Sequence, residues 1–232
     1  MKFMRSNWWK ILAFILMMWV CTMGFLVDIP NLDGRLQESI RNLFFHVPMW
    51  IGMMVLLTIS VLYAIKYLNS QKPEDDIISL EFAKVGLLYS FLGLFTGMIW
   101  ANYQWGAPWS GDPKQIGTAI AILIYCAYFV VRGSMTDMDK SAKVSAVYNI
   151  FAYCMLFPTI WILPRFAESL HPGGQGSEGN PALNPNDSTD SMKWVMIPAF
   201  IGWTLIGIWA ATLKIRLQLW YEKKMNKKNL LK

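Results

Sequence analysis

Six long apolar runs, separated by shorter polar stretches, dominate the pattern of hydrophobic and polar positions along this chain. Each run carries little or no charge. A helix needs ~20 apolar residues to cross the ~30 Å hydrocarbon layer of a bilayer. The pattern therefore predicts an all-α, polytopic membrane protein with six transmembrane helices, and it excludes a soluble protein. The runs cover residues 11–27, 47–65, 85–101, 115–131, 144–163 and 194–213.

The composition agrees with this interpretation, because 55% of the 232 residues are hydrophobic and only 16% are charged. The first run follows basic residues and also resembles a secretory signal, but no small-x-small cleavage site follows it. We interpret it as the first membrane helix. We expect a single integral membrane domain over residues 1–232, with outer connections at about 28–46, 101–115 and 164–193.

The distribution of basic residues predicts the orientation of the helices. Sixteen of the 21 Lys and Arg residues flank the runs on one side, including the basic tail after Lys214. Because cytoplasmic loops carry the excess of Lys and Arg, both termini are predicted to be cytoplasmic. The bias also explains the net charge of +6 without a nucleic-acid partner. We expect the tail to meet anionic lipid head groups.

Other residue types exclude two classes of membrane protein. The three cysteines, Cys21, Cys126 and Cys154, lie within apolar runs and form no Cys-x-x-Cys motif, which argues against a thiol relay. Acidic or basic residues are absent from the centres of the runs, where ion pathways are normally found. A pump or an ion-coupled transporter is therefore not indicated.

The third run and its flanks carry two structural signals. Gly86, Gly93 and Gly97 lie among large apolar residues and predict close packing of this helix against a neighbour. The charged stretch 66–84 before the run is interpreted as a solvated link. The run ends at Trp100 and leads directly into a tryptophan-rich connection.

That connection, residues 105–114, reads Trp-Gly-Ala-Pro-Trp-Ser-Gly-Asp-Pro-Lys. Trp100, Tyr103, Trp105 and Trp109 crowd into ten residues, with glycines and prolines that favour turns. Tryptophan is also common at membrane interfaces as a simple anchor, and that alternative stays open. The connection otherwise forms a platform for a flat aromatic ligand that is charged at its edge.

Both histidines of the chain are predicted to lie on the same outer side as this platform. His46 precedes the second run, and His171 follows the fifth. A lone interfacial histidine is commonly a polar cap, but two neutral imidazoles can fill both axial positions of a heme iron, and indoles suit the porphyrin. A zinc site normally requires a third or fourth ligand. Candidate partners for the heme propionates are Arg41, Lys114, Arg165 and Lys193.

These residues carry a family resemblance. The spacing Trp105-Gly106-x-x-Trp109-x-x-Asp112 resembles the WWD signature of heme-handling proteins in cytochrome c maturation. Six helices with histidines in the first and third outer loops resemble the CcmC type within the CcmC, CcmF and CcsA group. His46-Val47-Pro48 after Arg41, and Leu170-His171, match that family's surroundings for its heme histidines. Pro108 and Gly111 stand where the family usually has Trp, and Lys114 stands where it usually has Arg.

The resemblance implies a multi-pass inner-membrane protein that presents heme b at the periplasmic face, with His46 and His171 as iron ligands. Trp105, Gly106, Trp109 and Asp112 would form the platform. The implied partners are a periplasmic heme chaperone (CcmE-like), ABC-transporter subunits (CcmA- and CcmB-like) and a small CcmD-like membrane protein. The implied role is heme transport without catalysis. We expect an added indole at Gly111 to strengthen heme retention.

Three alternatives stay open. A membrane heme lyase would attach heme directly to apocytochrome c, but larger WWD proteins do this with additional helices and histidines. A membrane cytochrome that passes electrons would place its histidines within helices facing the bundle interior. A scaffold with interfacial tryptophans and no ligand would show no Soret band after purification.

Overall fold

The computed structural model describes residues 6–29, 38–171 and 189–229, and within them the chain is helical, with no strand. Six helices are long and apolar enough to cross a membrane. This confirms the predicted all-α architecture with six membrane-spanning helices. They are α1 (Trp8–Leu26), α2 (Leu43–Ser70), α3 (Pro73–Trp105), α4 (Pro113–Gly133), α5 (Met138–Leu156) and α6 (Asp190–Asn229).

The bundle core lies where α2 to α6 meet, and α1 packs mainly against α6 at the edge. Large apolar side chains also point outward, as expected for a surface in contact with lipid. Phe14, Leu123 and Val130 are 60%, 67% and 70% exposed. We call the end of the bundle that carries the α3–α4 connection the site end, and the end with the α2–α3 connection the opposite end.

The prediction of a solvated link over residues 66–84 is wrong. Only Gln71 and Lys72 separate α2 from α3. Pro73 occupies the first turn of α3, and three acidic residues follow it, a composition that stabilises a helix start. Hydropathy places these charges in a loop because it does not detect ion pairs between helices.

Those charges pair across the opposite end of the bundle. Each of three acidic residues in the first turns of α3 contacts a cation from a different helix, α2, α4 or α6. The pairing allows acidic side chains to be buried without isolated charge. The pairs are Lys66–Asp75 at 2.8 Å, Arg132–Asp76 with two hydrogen bonds, and Lys214–Glu81 at 3.7 Å.

The predicted close packing along the glycines of α3 is confirmed, and the partner is α2. A Cβ atom added at any of the three glycines would lie 2.5 to 2.8 Å from an α2 side chain. Glycine is therefore required for this helix separation. Gly86 faces Leu57, Gly93 faces Trp50, and Gly97 faces the His46 ring.

Two further boundaries differ from the prediction. The fifth run continues past α5 through a π turn, Phe157–Ile162, and a 3-10 turn, Leu163–Arg165, which lead the chain towards His171. The basic stretch after Lys214 is a continuation of α6 rather than a tail. The glycine-rich part of the connection between His171 and α6 lies outside the described residues.

Candidate functional site

The tryptophan-rich connection begins where α3 ends. Gly106 has φ +80° and caps α3, and its amide N–H donates to the Asn102 carbonyl. The next helix begins at Pro113, with Asp112 as its N-cap. The connection is therefore a short turn between two helix ends, and both ends determine its position.

Gln115, a buried residue in the first turn of α4, holds this connection in one conformation. Its side-chain carbonyl accepts hydrogen bonds from the Ser110 amide at 2.9 Å and the Ser110 hydroxyl at 3.1 Å. Its amide group donates to the Pro108 carbonyl at 3.1 Å. Three polar groups of the turn are thus satisfied by one side chain.

Gly111 explains one departure from the family signature. Its φ of +73° lies in the left-handed region, which costs a residue other than glycine about 1–2 kcal/mol. No heavy atom lies within 4 Å of an added Cβ, so the obstacle is the backbone and not space. An indole at Gly111 would therefore add stacking surface only at this backbone cost, and the expected gain in heme retention stays a prediction.

Asp112 joins the tryptophan-rich connection to the segment that carries His171. One carboxylate oxygen accepts from the Lys114 amide at 2.8 Å and lies 2.8 Å from His171 Nδ1. The other accepts from the Ser169 hydroxyl at 2.9 Å and the Leu170 amide at 2.7 Å. The Asp112 side chain is fully buried, so all four contacts are shielded from water.

The pKa values of Asp112 and His171 determine the protonation state of the His171 ring. Burial alone would raise the pKa of Asp112, but the nearby His171 and three hydrogen-bond donors hold that pKa below its usual range. The carboxylate is therefore ionised and can only accept. Burial lowers the pKa of His171 below 6.5, despite the opposing effect of Asp112. A neutral His171 donates from Nδ1 to Asp112 and carries its lone pair on Nε2.

The indoles of α3 surround the His171 ring. The Trp105 ring lies 4.7 Å away, centroid to centroid, at an interplanar angle of 75°. The Trp100 ring lies 6.5 Å from His171 and 5.5 Å from Trp105. Trp109 lies in the connection itself and is 44% exposed. The platform residues therefore divide into two indoles against the imidazole and one at the surface.

His46 lies in the first turn of α2, and its ring packs against Gly97 of α3. Its Nδ1 lies 3.1 Å from the Thr96 hydroxyl oxygen, and its ring contacts Trp50 edge-on at 6.2 Å. The position is at a helix end, as predicted. The ring packs against α3 more than two turns before that helix ends.

Both histidines therefore lie along the last turns of α3, and they are close enough to influence each other electrostatically. In each, Nδ1 faces a side-chain oxygen atom, and the His46 ring also has a backbone acceptor at Gly93 of α3. This is the arrangement found in metal-ligating histidines, in which an oxygen acceptor on one nitrogen orients the other towards the metal.

The basic residues predicted to bind the propionates lie in different parts of the structure. Lys114 lies near enough to Asp112 and to Arg165 to interact electrostatically with both, and Arg165 is exposed. Arg41 instead donates to the Glu38 carboxylate and to two carbonyls at the end of α1, those of Gly24 at 3.1 Å and Val27 at 2.8 Å. Its guanidinium holds the turn before α2 against α1.

Sequence reasoning missed three residues of this arrangement. Gln115 carried a detectable signal, because Asp112-Pro-x-Gln115 has the spacing of a capping box. Thr96 carried none, because threonine in a membrane helix commonly bonds its own backbone. Ser169 carried none either, since its role depends on the path of the chain after α5.

Comparison with known proteins gives one consistent result. The family model described as heme exporter protein C matches residues 2–230. "Heme exporter protein C" of Haemophilus influenzae is 24% identical over 81% of this chain and 74% of its own length. The protein of the same name from Bradyrhizobium diazoefficiens is 26% identical over 51% and 45%. "Cytochrome c biogenesis protein CcsA" of Thermosynechococcus vestitus is 43% identical over 38% and 26%. The last two alignments each cover less than half of the relative.

Proposed function

The chain belongs to the heme exporter protein C family, and from that premise we propose that it binds heme b at the site end and delivers it to an acceptor protein outside the membrane. Family membership and six apolar helices identify a multi-pass inner-membrane protein. They also support a role in heme handling for cytochrome c maturation. The ligands, the face of the membrane and the acceptor belong to the proposal.

The proposal rests on one observation: both histidines have an oxygen atom against Nδ1. A neutral imidazole can coordinate a metal only through the nitrogen that lacks a proton. Asp112 and Thr96 each lie against Nδ1, which leaves Nε2 of His171 and of His46 as the available donors. The chain has two histidines, and both have this arrangement.

The residues at this end fit a heme. Neutral imidazole nitrogens are suitable axial ligands, and indoles are suitable neighbours of the macrocycle. His46 and His171 would hold the iron, while Trp105, Gly106 and Trp109 would contact the ring. Bound heme would supply an iron that accepts two imidazole nitrogens and a vinyl edge for an acceptor protein.

The proposed propionate partners differ in the contacts that each basic side chain already makes. Lys114 lies near enough to His171, Asp112 and Arg165 to interact electrostatically with each of them, which favours it as a propionate partner beside the proposed ligand. Arg41 already binds Glu38 and two carbonyls, so a propionate contact would have to replace or share those bonds. Lys193 forms an ion pair with Asp190 at 3.0 Å.

Delivery requires one side of the site to be open. The His171 side chain is 20% exposed and is carried by a turn rather than by a helix, whereas His46 is fixed within α2. We infer that His171 faces the acceptor, a periplasmic heme chaperone of the CcmE type. CcmA- and CcmB-like ABC-transporter subunits and a small CcmD-like protein are the proposed complex. The proposed role is transport without a catalytic step.

The proposal is tested by absorption spectra of the purified, heme-loaded protein, with an affinity tag that contains no histidine. His46→Ala and His171→Ala should each lose the six-coordinate low-spin spectrum, and added imidazole should partly restore it. Gln218→Ala on α6 is the control, because the hydrogen bond that its side chain makes within the described residues is to Glu222 on its own helix, beyond the Lys214–Glu81 pair at the opposite end. A wild-type spectrum in either histidine variant would exclude that residue as a ligand.

A further inference from the structure

The Thr96 hydroxyl lies between the backbone of its own helix and His46 of α2. Its oxygen lies 2.9 Å from the Leu92 carbonyl and 3.1 Å from the Gly93 carbonyl, and both are acceptors within the same helix. A hydroxyl has a single proton to donate. That proton therefore points along α3 towards these carbonyls, and the lone pairs of the oxygen remain available on the other side.

His46 Nδ1 lies on that other side, 3.1 Å from the Thr96 oxygen. Because the α3 carbonyls already accept from the hydroxyl, this contact favours the form of His46 in which Nδ1 carries the hydrogen and donates it. The Gly93 backbone is a further acceptor for the ring. Gly97 allows the contact, since a Cβ at that position would lie 2.7 Å from the His46 ring. The neighbouring Asn42 side chain donates to the Thr96 backbone carbonyl at 3.3 Å and fixes the start of α2 against the same turn of α3.

From this geometry we propose that Thr96 is a positioning residue that holds His46 in the tautomer with the lone pair on Nε2. The inference rests on the proposed ligation of heme by His46 and specifies what prepares that ligand. Thr96 then corresponds to Asp112 at His171, with a neutral hydroxyl in place of a carboxylate. Outer-shell partners of metal-ligating histidines typically change metal affinity by about 10- to 100-fold.

The direct test is nitrogen NMR of the ligand-free protein labelled with 15N-histidine, in detergent. With two histidines in the chain, His171→Gln leaves His46 as the one labelled ring. In that background we expect protonated Nδ1 and unprotonated Nε2 with Thr96 or Thr96→Ser, and a mixture of tautomers with Thr96→Val. Thr96→Ala is measured in parallel, so that the result does not depend on the folding of one variant.

The second arm measures heme retention in the otherwise wild-type chain. We expect Thr96→Val to release heme about tenfold faster and Thr96→Ser to stay near the wild-type rate. Thr212→Val is the matched control, because Thr212 is a buried helical threonine bonded to the Trp209 carbonyl with no histidine partner.

The outcomes separate this inference from the proposed function. An unchanged His46 tautomer in both Thr96→Val and Thr96→Ala would overturn the role of Thr96, even if His46→Ala loses the heme spectrum. Equal loss in Thr96→Ser and Thr96→Val would also overturn it, since serine keeps the hydroxyl. A shifted tautomer together with an unaffected His46→Ala spectrum would support the positioning by Thr96 and refute the ligation.

Discussion

Asp112 both caps the start of α4 and contacts the proposed ligand His171. Its two oxygens accept from two backbone amides, one hydroxyl and the His171 ring. Replacement by Asn preserves the shape but puts an amide group where two of these donors point. Asn is a good N-cap, so the helix start should survive while the His171 segment is displaced.

We therefore expect Asp112→Asn to release heme at least tenfold faster with a small change in melting temperature. Asp137 provides the matched control, because it is the N-cap of α5 at the opposite end and has no histidine partner. Asp137→Asn should leave heme retention at the wild-type level. Equal retention in Asp112→Asn and the wild type would show that Asp112 only caps α4.

The charge state of His171 gives a prediction about pH. Burial lowers the pKa of His171, so its neutral form should persist below pH 6.5 in the ligand-free protein. Below that pH the unfolded chain binds the proton more readily, and this group therefore reduces folding stability as the pH falls. In 15N-histidine spectra of the His46→Gln variant, the titration midpoint should lie below 6.5. A midpoint above 6.5 would show that the attraction of Asp112 outweighs burial.

At the scale of elements, the glycines of α3 determine how closely α2, which carries His46, packs against α3. Gly97→Ala would put a methyl group 2.7 Å from the His46 ring, so the ring or the helix must shift from its present position. Overpacking of this kind typically costs about 1–3 kcal/mol. We expect lower thermal stability and weaker heme retention in Gly97→Ala.

Two glycine variants serve as controls for that measurement. Gly93→Ala should reduce stability through Trp50 with a smaller effect on heme, because the nearest atoms to its added methyl group belong to Trp50 and reach the His46 ring only through that indole. Gly133→Ala should change neither, since nothing lies within 4 Å of an added Cβ at that helix end. Heme retention equal in Gly97→Ala and Gly133→Ala would contradict the proposed fit of His46 against α3.

The membrane-spanning elements were predictable because uninterrupted apolar runs have few alternatives to a membrane helix. The start of α3 and the continuation of α6 past Lys214 were not, because Asp75 and Glu81 are buried by pairing with Lys66 and Lys214, and hydropathy treats each charge as solvated. Asp112 was identifiable from the motif. Its bond to His171 spans 59 residues of sequence and depends on the fold.

For the whole molecule, the orientation follows from the charge bias and stays a prediction. The Trp105–Asp112 connection and His171 share one end of the bundle, whereas the turn near Asp137 lies at the other. Reporter fusions that are active only outside the cytoplasm should work after Trp109 and fail after Lys140. Activity after Lys140 would place the site end in the cytoplasm and exclude delivery to a periplasmic acceptor.

The central claim, ligation of heme by both histidines, is tested most directly by hyperfine spectroscopy of the ferric, heme-loaded protein labelled with 15N-histidine and purified without a polyhistidine tag. The heme nitrogens remain unlabelled, so each strong 15N coupling reports one histidine bound to iron. We predict two such couplings in the wild type. His46→Gly and His171→Gly, each supplied with unlabelled imidazole, should retain one. A single 15N coupling in the wild type, or two in either variant, would contradict ligation by His46 and His171.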